Sequence, residues 1–388
     1  MKVTNSTQNG KFYSEITSNL KCIVIEGEYF DKKRKYVTQI ELEPGADTLT
    51  REMVENFTNA TKVVIPYGII KIGKGAFKDF DNLKEVILSS NVAIIGDEAF
   101  RDCDSLKHID LRKVYSIGER AFINCSNLTK VKMSNVELIG KYAFYNCYKL
   151  DNVVVPNAIR LEEGCFSNCY KIKSITFGNR LLEIGPYSFE FCDSLNVVLP
   201  NSLEKLGARA FSFCGLLKEI TIPEKVTRIQ PFTFCGCENL QKVEIRGKVT
   251  KIGKKAFCGT NSLNEINLPD SVVRICEQAF FESAIKRVVL PKNLKNLEAF
   301  TFYSCGHLKE IIFNKKLNVI GRGAFRECNN LEICSIPNGV TSIKGIAFAD
   351  CVNIEKLTIP NTVKHIGERA FECVNKDAII NESNCKII

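Results

Sequence analysis

Residues 217–237 read LKEITIPEKVTRIQPFTFCGC, and the spacing of their apolar side chains decides the fold. Leu217, Ile220 and Ile222 stand three and then two residues apart, and the step of two is that of a strand whose alternate side chains turn inward. Pro223 has no N–H to give a ladder and ends that strand. Val226 and Ile229 predict a second, shorter extended piece. Phe234 follows five residues after Ile229, and Cys237 comes three after Phe234.

The unit recurs along the chain. Its phenylalanine is found at Phe77, Phe100, Phe122, Phe144, Phe166, Phe189, Phe211, Phe234, Phe257, Phe280, Phe302, Phe325, Phe348 and Phe371, always 22 or 23 residues apart. A period so strict means stacked coils that share one core, because no single coil can bury its own apolar face. Five residues before each phenylalanine stands Ile or Leu, from Ile72 to Ile366, so that column also faces inward. The residue just before the phenylalanine is alanine, or else Cys165, Ser188, Thr233 or Thr301, and a larger side chain there would collide with a neighbouring coil. Glycine follows the isoleucine in nine coils, but Glu162, Gln230, Cys276, Glu298 and Lys344 take its place in the others. Those side chains fit a tight bend and not a left-handed backbone.

The full unit, L-x-x-I-x-I-P-x-x-V-x-x-I-G-x-x-A-F-x-x-C, seen from Leu217 to Phe234 and again from Ile354 to Phe371, resembles the BspA-like leucine-rich repeats. The likeness covers about residues 60 to 380. It implies a curved solenoid of a kind found in surface and host-interaction proteins of bacteria and parasitic protists, where members bind other proteins, matrix proteins among them. It implies no catalytic residues. The expected architecture is a curved leucine-rich-repeat stack of about fourteen coils, mostly β, with a parallel strand per coil on a concave sheet and short helical turns on the convex side.

Three regions follow from where the pattern starts and stops. Residues 1–59 are expected to cap the stack, with LKCIVIEG and KYVTQIELE as a hairpin across the basic turn DKKRK and LTREMVENF as a short helix. The repeats fill 60–375, and 376–388 hold a degenerate coil, with a last strand at Ala378 to Ile380, and a tail.

Chemistry is scarce. With three histidines in separate coils (His108, His307 and His365), no C-x-x-C, no G-x-S-x-G, no H-E-x-x-H and no phosphate loop, the chain is expected to be no enzyme and to need no metal or cofactor. The close pairs Cys165/Cys169 and Cys235/Cys237 lack the spacing of a zinc site. Ten of the 18 cysteines hold the third position after the phenylalanine, a column that Phe80, Thr260, Ser283 and Val374 also occupy, so it reads as a ladder of buried, reduced thiols. A net charge of +9 spread without runs suits a solvated surface, and neither nucleic acid nor a small-molecule substrate is expected.

The outward positions of the L-x-x-I-x-I strands are the candidate binding face: Lys84, Lys107, His108, Lys130, Lys218, Lys242, Arg287 and Lys309, with acidic residues interspersed and no aromatic side chain. A second candidate is the tyrosine cluster Tyr142, Tyr145, Tyr148, Tyr170 and Tyr187 on the convex turns. Cys385-Lys386-Ile387-Ile388 fits a C-a-a-X box and predicts a prenyl group on Cys385. Residues 1–20 have no apolar leader segment. The expectation is a non-catalytic scaffold for a protein partner in the cytoplasm or at the cytoplasmic face of the plasma membrane. The alternative is a cell-surface adhesin binding host or matrix proteins, in which some of the sequons at Asn5, Asn56, Asn59, Asn124, Asn127 and Asn381 would carry glycans.

Overall fold

The computed structural model describes residues 46–387 and, before them, the backbone of strands Asn5–Gln8, Lys11–Thr17, Leu20–Val24 and Gln39–Leu42. The chain is a parallel β-solenoid of about 15 turns of about 23 residues, divided into two units, Met1–Leu195 and Asn196–Ile388. Most coils give one strand from L-x-x-I-x-I and a two-residue strand from V-x-x-I, and like strands of neighbouring coils pair in parallel; the coil at Leu263 contributes only an isolated bridge at Glu265 in place of the longer strand.

In the first unit Gln39–Leu42, Lys62–Val64, Glu85–Ile87, His108–Asp110 and Lys130–Lys132 pair in parallel, and Asn152–Val155 pairs with Ser174–Phe177. Thr48–Leu49 pairs with Lys71–Ile72, so coiling begins one turn before the first phenylalanine motif. Leu20–Val24 lies antiparallel to Gln39–Leu42, and Lys11–Thr17 and Asn5–Gln8 extend that edge. The basic turn DKKRK lies outside the described residues. LTREMVENF forms a short α-helix, Arg51–Val54, and a 3-10 turn, Glu55–Phe57, which buries Phe57.

In the second unit Glu219–Ile222 pairs with Lys242–Ile245. Arg287–Val289, Glu310–Ile312, Ile333–Ser335, Lys356–Ile359 and Ile379–Asn381 form the other long-strand ladder. The last strand starts one residue later than its sequence suggests, because Asn375 caps a 3-10 turn, Lys376–Ala378, by accepting from the Asp377 N–H.

All fourteen motif phenylalanines are buried. Their rings stack nearly parallel, with centroids 5.1 to 5.7 Å apart from Phe77 to Phe189 and 5.1 to 5.9 Å apart from Phe211 to Phe371. The cysteine column is buried beside them, and its thiols are more than filler. Cys103 Sγ donates to the Phe77 carbonyl at 3.1 Å and Cys125 Sγ to Phe100 at 3.1 Å, a bond repeated up to Cys351 and Phe325 at 3.0 Å. Each thiol thus satisfies a core carbonyl one coil back. Where Ser188, Thr233 and Thr301 replace the alanine, each hydroxyl donates to the carbonyl three residues before it.

The turns around the phenylalanines are hydrogen-bonded turns and not the helical segments expected; among the described residues the helical pieces are those just named. The reason lies in where the N–H groups point. Glu98, Phe100 and Asp102 donate to Glu119, Ala121 and Ile123 of the next coil at 2.7 to 2.9 Å, while Ala99 and Arg101 donate back three residues within their own coil. Sending every second N–H along the stack requires a left-handed residue on each side of the phenylalanine, here Glu98 (φ 52°) and Asp102 (φ 58°). The same two positions are left-handed in every coil, even at Tyr142, Phe232 and Ile346. The penalty of about 1 to 2 kcal/mol per non-glycine residue is offset by the ladder it completes.

Glycine after the isoleucine is not left-handed, as expected, and its role is close approach. A Cβ on Gly118 would lie 2.6 Å from the Asp97 nitrogen, and one on Gly253 2.5 Å from the Gln230 carbonyl carbon and the Pro231 nitrogen.

Candidate functional site

Inward aliphatics alternate with outward residues on the long strands, so within each paired ladder the outward columns present exposed side chains in fixed register. All eight basic candidates are exposed there. In the first unit Lys84 and Lys107 hold one column of adjacent coils, and His108 lies in register with both Glu85 and Lys130. In the second, Lys242 is in register with Glu219, one residue after Lys218, and Arg287 with Glu310.

The candidates are not equivalent. Arg287 is held by Glu310 at 2.7 Å and Lys309 by Glu332 at 3.3 Å, each pair joining neighbouring coils. Lys84, Lys107, His108, Lys130, Lys218 and Lys242 make no ion pair among the described residues. Pairs this exposed add little stability, and their effect is to fix where charge sits.

Exposed aliphatic side chains cluster on the same face of the second unit. Val289 and Ile312 are in register on adjacent strands and 45% and 37% exposed. Ile333, on the next strand, is 59% exposed and in register with Glu310 and Lys356. The Arg287–Glu310 and Lys309–Glu332 pairs lie on one side of Val289 and Ile312, and Ile333 continues the Arg287–Glu310 column. The sequence signal existed, since the outward positions of each strand could be read, but only the ladder shows that these aliphatics are neighbours.

A shallow cleft opens elsewhere on this face. Leu195-Asn-Val-Val-Leu199 is one residue shorter than Leu217-Lys-Glu-Ile-Thr-Ile222, so Val197 and Leu199 point inward and Val198 is left 81% exposed. The strand Asn196–Val197 does not pair with Glu219–Ile222, and the gap is a cleft of about 140 Å³ lined by residues 196–199 and 219–221 with Lys242 and Glu244. Arg246 Nε donates to Glu244 at 2.8 Å and holds that carboxyl below the ordinary carboxylate range, so the rim is charged.

The tyrosine cluster of the first unit is largely occupied with itself. Tyr148 and Tyr170 stack at 5.5 Å, Tyr142 meets Tyr145 edge-on at 5.8 Å, and the Tyr142 hydroxyl donates to Glu163 at 2.5 Å. Burial and the Glu163 carboxylate push the Tyr142 phenol up to about 12, so it stays a neutral donor. Cys385 is half-buried, with its thiol 3.5 Å from the Val363 carbonyl. Among the described residues no cluster of three metal-ligating side chains occurs, and no helix is long and apolar enough to cross a membrane.

Comparisons with known proteins agree with this geometry. The family model described as the BspA type leucine rich repeat region matches in six copies, over residues 47–173, 159–282 and 250–377. A leucine-rich repeat protein from Bacteroides ovatus is similar in structure with a TM-score of 0.65 and 22% identity, covering 99% of each chain. A leucine rich cell surface protein from Faecalibacterium prausnitzii gives a TM-score of 0.47 at 22% identity, covering 99% of this chain and 95% of that one. A leucine-rich repeat protein from Eubacterium ventriosum gives a TM-score of 0.41 at 17% identity, covering 92% of this chain and 94% of that one. No curated protein matches the chain by sequence.

Proposed function

The chain belongs to the BspA type leucine-rich-repeat family, and from that premise we propose that it is a non-catalytic scaffold whose long-strand face binds another protein. The observation that carries the reading is the exposed aliphatic group Val289, Ile312 and Ile333 beside charged pairs of fixed register. Apolar side chains that the core does not use, rimmed by ordered charge, have the anatomy of a protein interface: the aliphatics lose water on contact and the charges select the partner.

The test begins with proximity labelling to find the partner and continues with purified chains. Changing Val289, Ile312 and Ile333 together to serine should weaken binding by at least about tenfold while leaving the melting temperature nearly unchanged, since none of the three is buried. Undiminished affinity in that variant, or cross-links that map to the turns around the phenylalanines, would overturn the choice of face.

Membrane association through a prenyl group at Cys385, on the cytoplasmic face, is a further part of the proposal. It is supported by the Cys385–Ile388 tetrapeptide and by a thiol that is not fully buried. In a eukaryotic cell the full chain should partition to membranes more than Cys385→Ser does, with added mass on the C-terminal peptide. Equal partitioning with no added mass removes the anchor. Glycans on the sequons of chain displayed on intact cells would instead establish the cell-surface reading.

A further inference from the structure

Cys235 and Cys258 each follow a stacked phenylalanine directly, in adjacent coils. Their backbones are in register: Phe234 N–H donates to the Ala256 carbonyl at 2.9 Å, and Gly236 N–H to the carbonyl of Cys258 itself at 2.8 Å. The rings beside them are 5.5 Å apart, which puts one coil spacing between the two residues and within the Cα separation that a disulfide spans. Nine of the column cysteines give their S–H to a phenylalanine carbonyl, the first and last at 3.1 and 3.0 Å, and are sealed in the core. Among the described residues neither Cys235 nor Cys258 gives its thiol to a carbonyl in this way, and Cys235 is only half-buried.

The charges around the pair favour an anion on one sulfur. Lys255 lies three residues before Cys258, and Arg209 sits over the Phe232 ring at 4.3 Å; both act on Cys235, as does the Ser212 hydroxyl, while Glu282 acts on Cys258. The neighbouring Cys258 thiol, then Lys255 and Arg209, bring the Cys235 thiol down to about 7, while its Cys235 neighbour and burial push Cys258 up.

We propose that Cys235 and Cys258 form a hydroperoxide-reactive pair in which Cys235 attacks, Cys258 resolves, and a disulfide closes between adjacent coils. The Cys235 thiolate attacks one peroxide oxygen; the O–O bond breaks, two electrons leave sulfur, and the departing oxygen takes a proton as water or alcohol. The sulfenic acid so formed meets the Cys258 sulfur of the next coil. The S–S bond forms, the S–O bond breaks, and hydroxide leaves with the Cys258 proton as water. With hydrogen peroxide the balance is two thiols and one peroxide to one disulfide and two waters.

The experiment treats the reduced full chain with hydrogen peroxide near neutral pH and maps the products by peptide mass spectrometry. The expected result is a Cys235–Cys258 cross-linked peptide that is absent from Cys235→Ser and Cys258→Ser. In Cys258→Ser a dimedone adduct should accumulate on Cys235; in Cys235→Ser the Cys258 thiol should persist. Alkylation at neutral pH should be roughly fivefold faster at Cys235 than at exposed Cys373, whose thiol the Asp350 carboxylate pushes up. Peroxide oxidation falling on Cys373 or Cys385 with both thiols of the pair intact would overturn the proposal, and so would a Cys235 alkylated no faster than Cys373.

Discussion

Phe234→Ala is expected to lower stability by about 3 to 5 kcal/mol, measured by urea or thermal unfolding of the full chain. The ring is fully buried, stacked on Phe211 at 5.9 Å and on Phe257 at 5.5 Å, so its removal forfeits burial on both faces. Collapse cannot refill the space. Backbone bonds from Phe211 N–H to Thr233 at 3.0 Å and from Phe234 N–H to Ala256 at 2.9 Å fix the coil spacing, so the cavity persists. Phe371→Ala is the internal comparison: among the described residues that ring stacks only on Phe348, at 5.6 Å, and its loss should be felt less. Because each coil leans only on its neighbours, the central variant should also broaden the transition as the halves of the stack uncouple. Stability within about 1 kcal/mol of the parent would mean that the column is not the spine of the core.

Gly253→Ala is expected to destabilise by about 1 to 3 kcal/mol, whereas Gly306→Ala should be neutral or stabilise by up to about 1 kcal/mol. The two substitutions add the same methyl group. At Gly253 it would stand 2.5 Å from the Gln230 carbonyl carbon and the Pro231 nitrogen, and those atoms belong to backbone. Gly253 N–H also donates to Ile229 at 2.8 Å, so moving the coil away to admit the methyl strains that bond. At Gly306 nothing lies within 4 Å, and the methyl acts mainly by restricting the unfolded chain. Paired melting curves decide the matter; equal shifts would show that the glycine column reflects local bending and not the approach of coils.

Much of the fold was legible because its signal is one-dimensional. A phenylalanine every 22 or 23 residues and an Ile or Leu five residues before it can be counted, and each coil can bury them only against another coil. The substitution of Glu162 and Lys344 for glycine rightly argued against a left-handed bend at that column. It said nothing of the backbone of the previous coil, which is what the glycine accommodates. The outward columns of the candidate face could be read in the same way, but not which of their charges are engaged. Arg287 and Lys309 look like Lys107 and Lys130 until the ladder sets Glu310 and Glu332 beside them.

Sequence by itself determined the coil period, the two inward columns, the small-residue column and the positions that face outward, because hydrophobic spacing and side-chain size act within one coil. Tertiary structure alone decided what meets between coils. Nothing in the identity of Tyr142, Phe232 or Ile346 announces a left-handed residue; stacking imposes it by turning every second N–H toward the next coil. The same cross-coil register aims column thiols at phenylalanine carbonyls, sets Val289 beside Ile312, and puts Cys235 and Cys258 in step on adjacent coils. These partners are more than twenty residues apart, and their meeting depends on where the ladder places two backbones about 5 Å apart, a distance that periodicity does not encode.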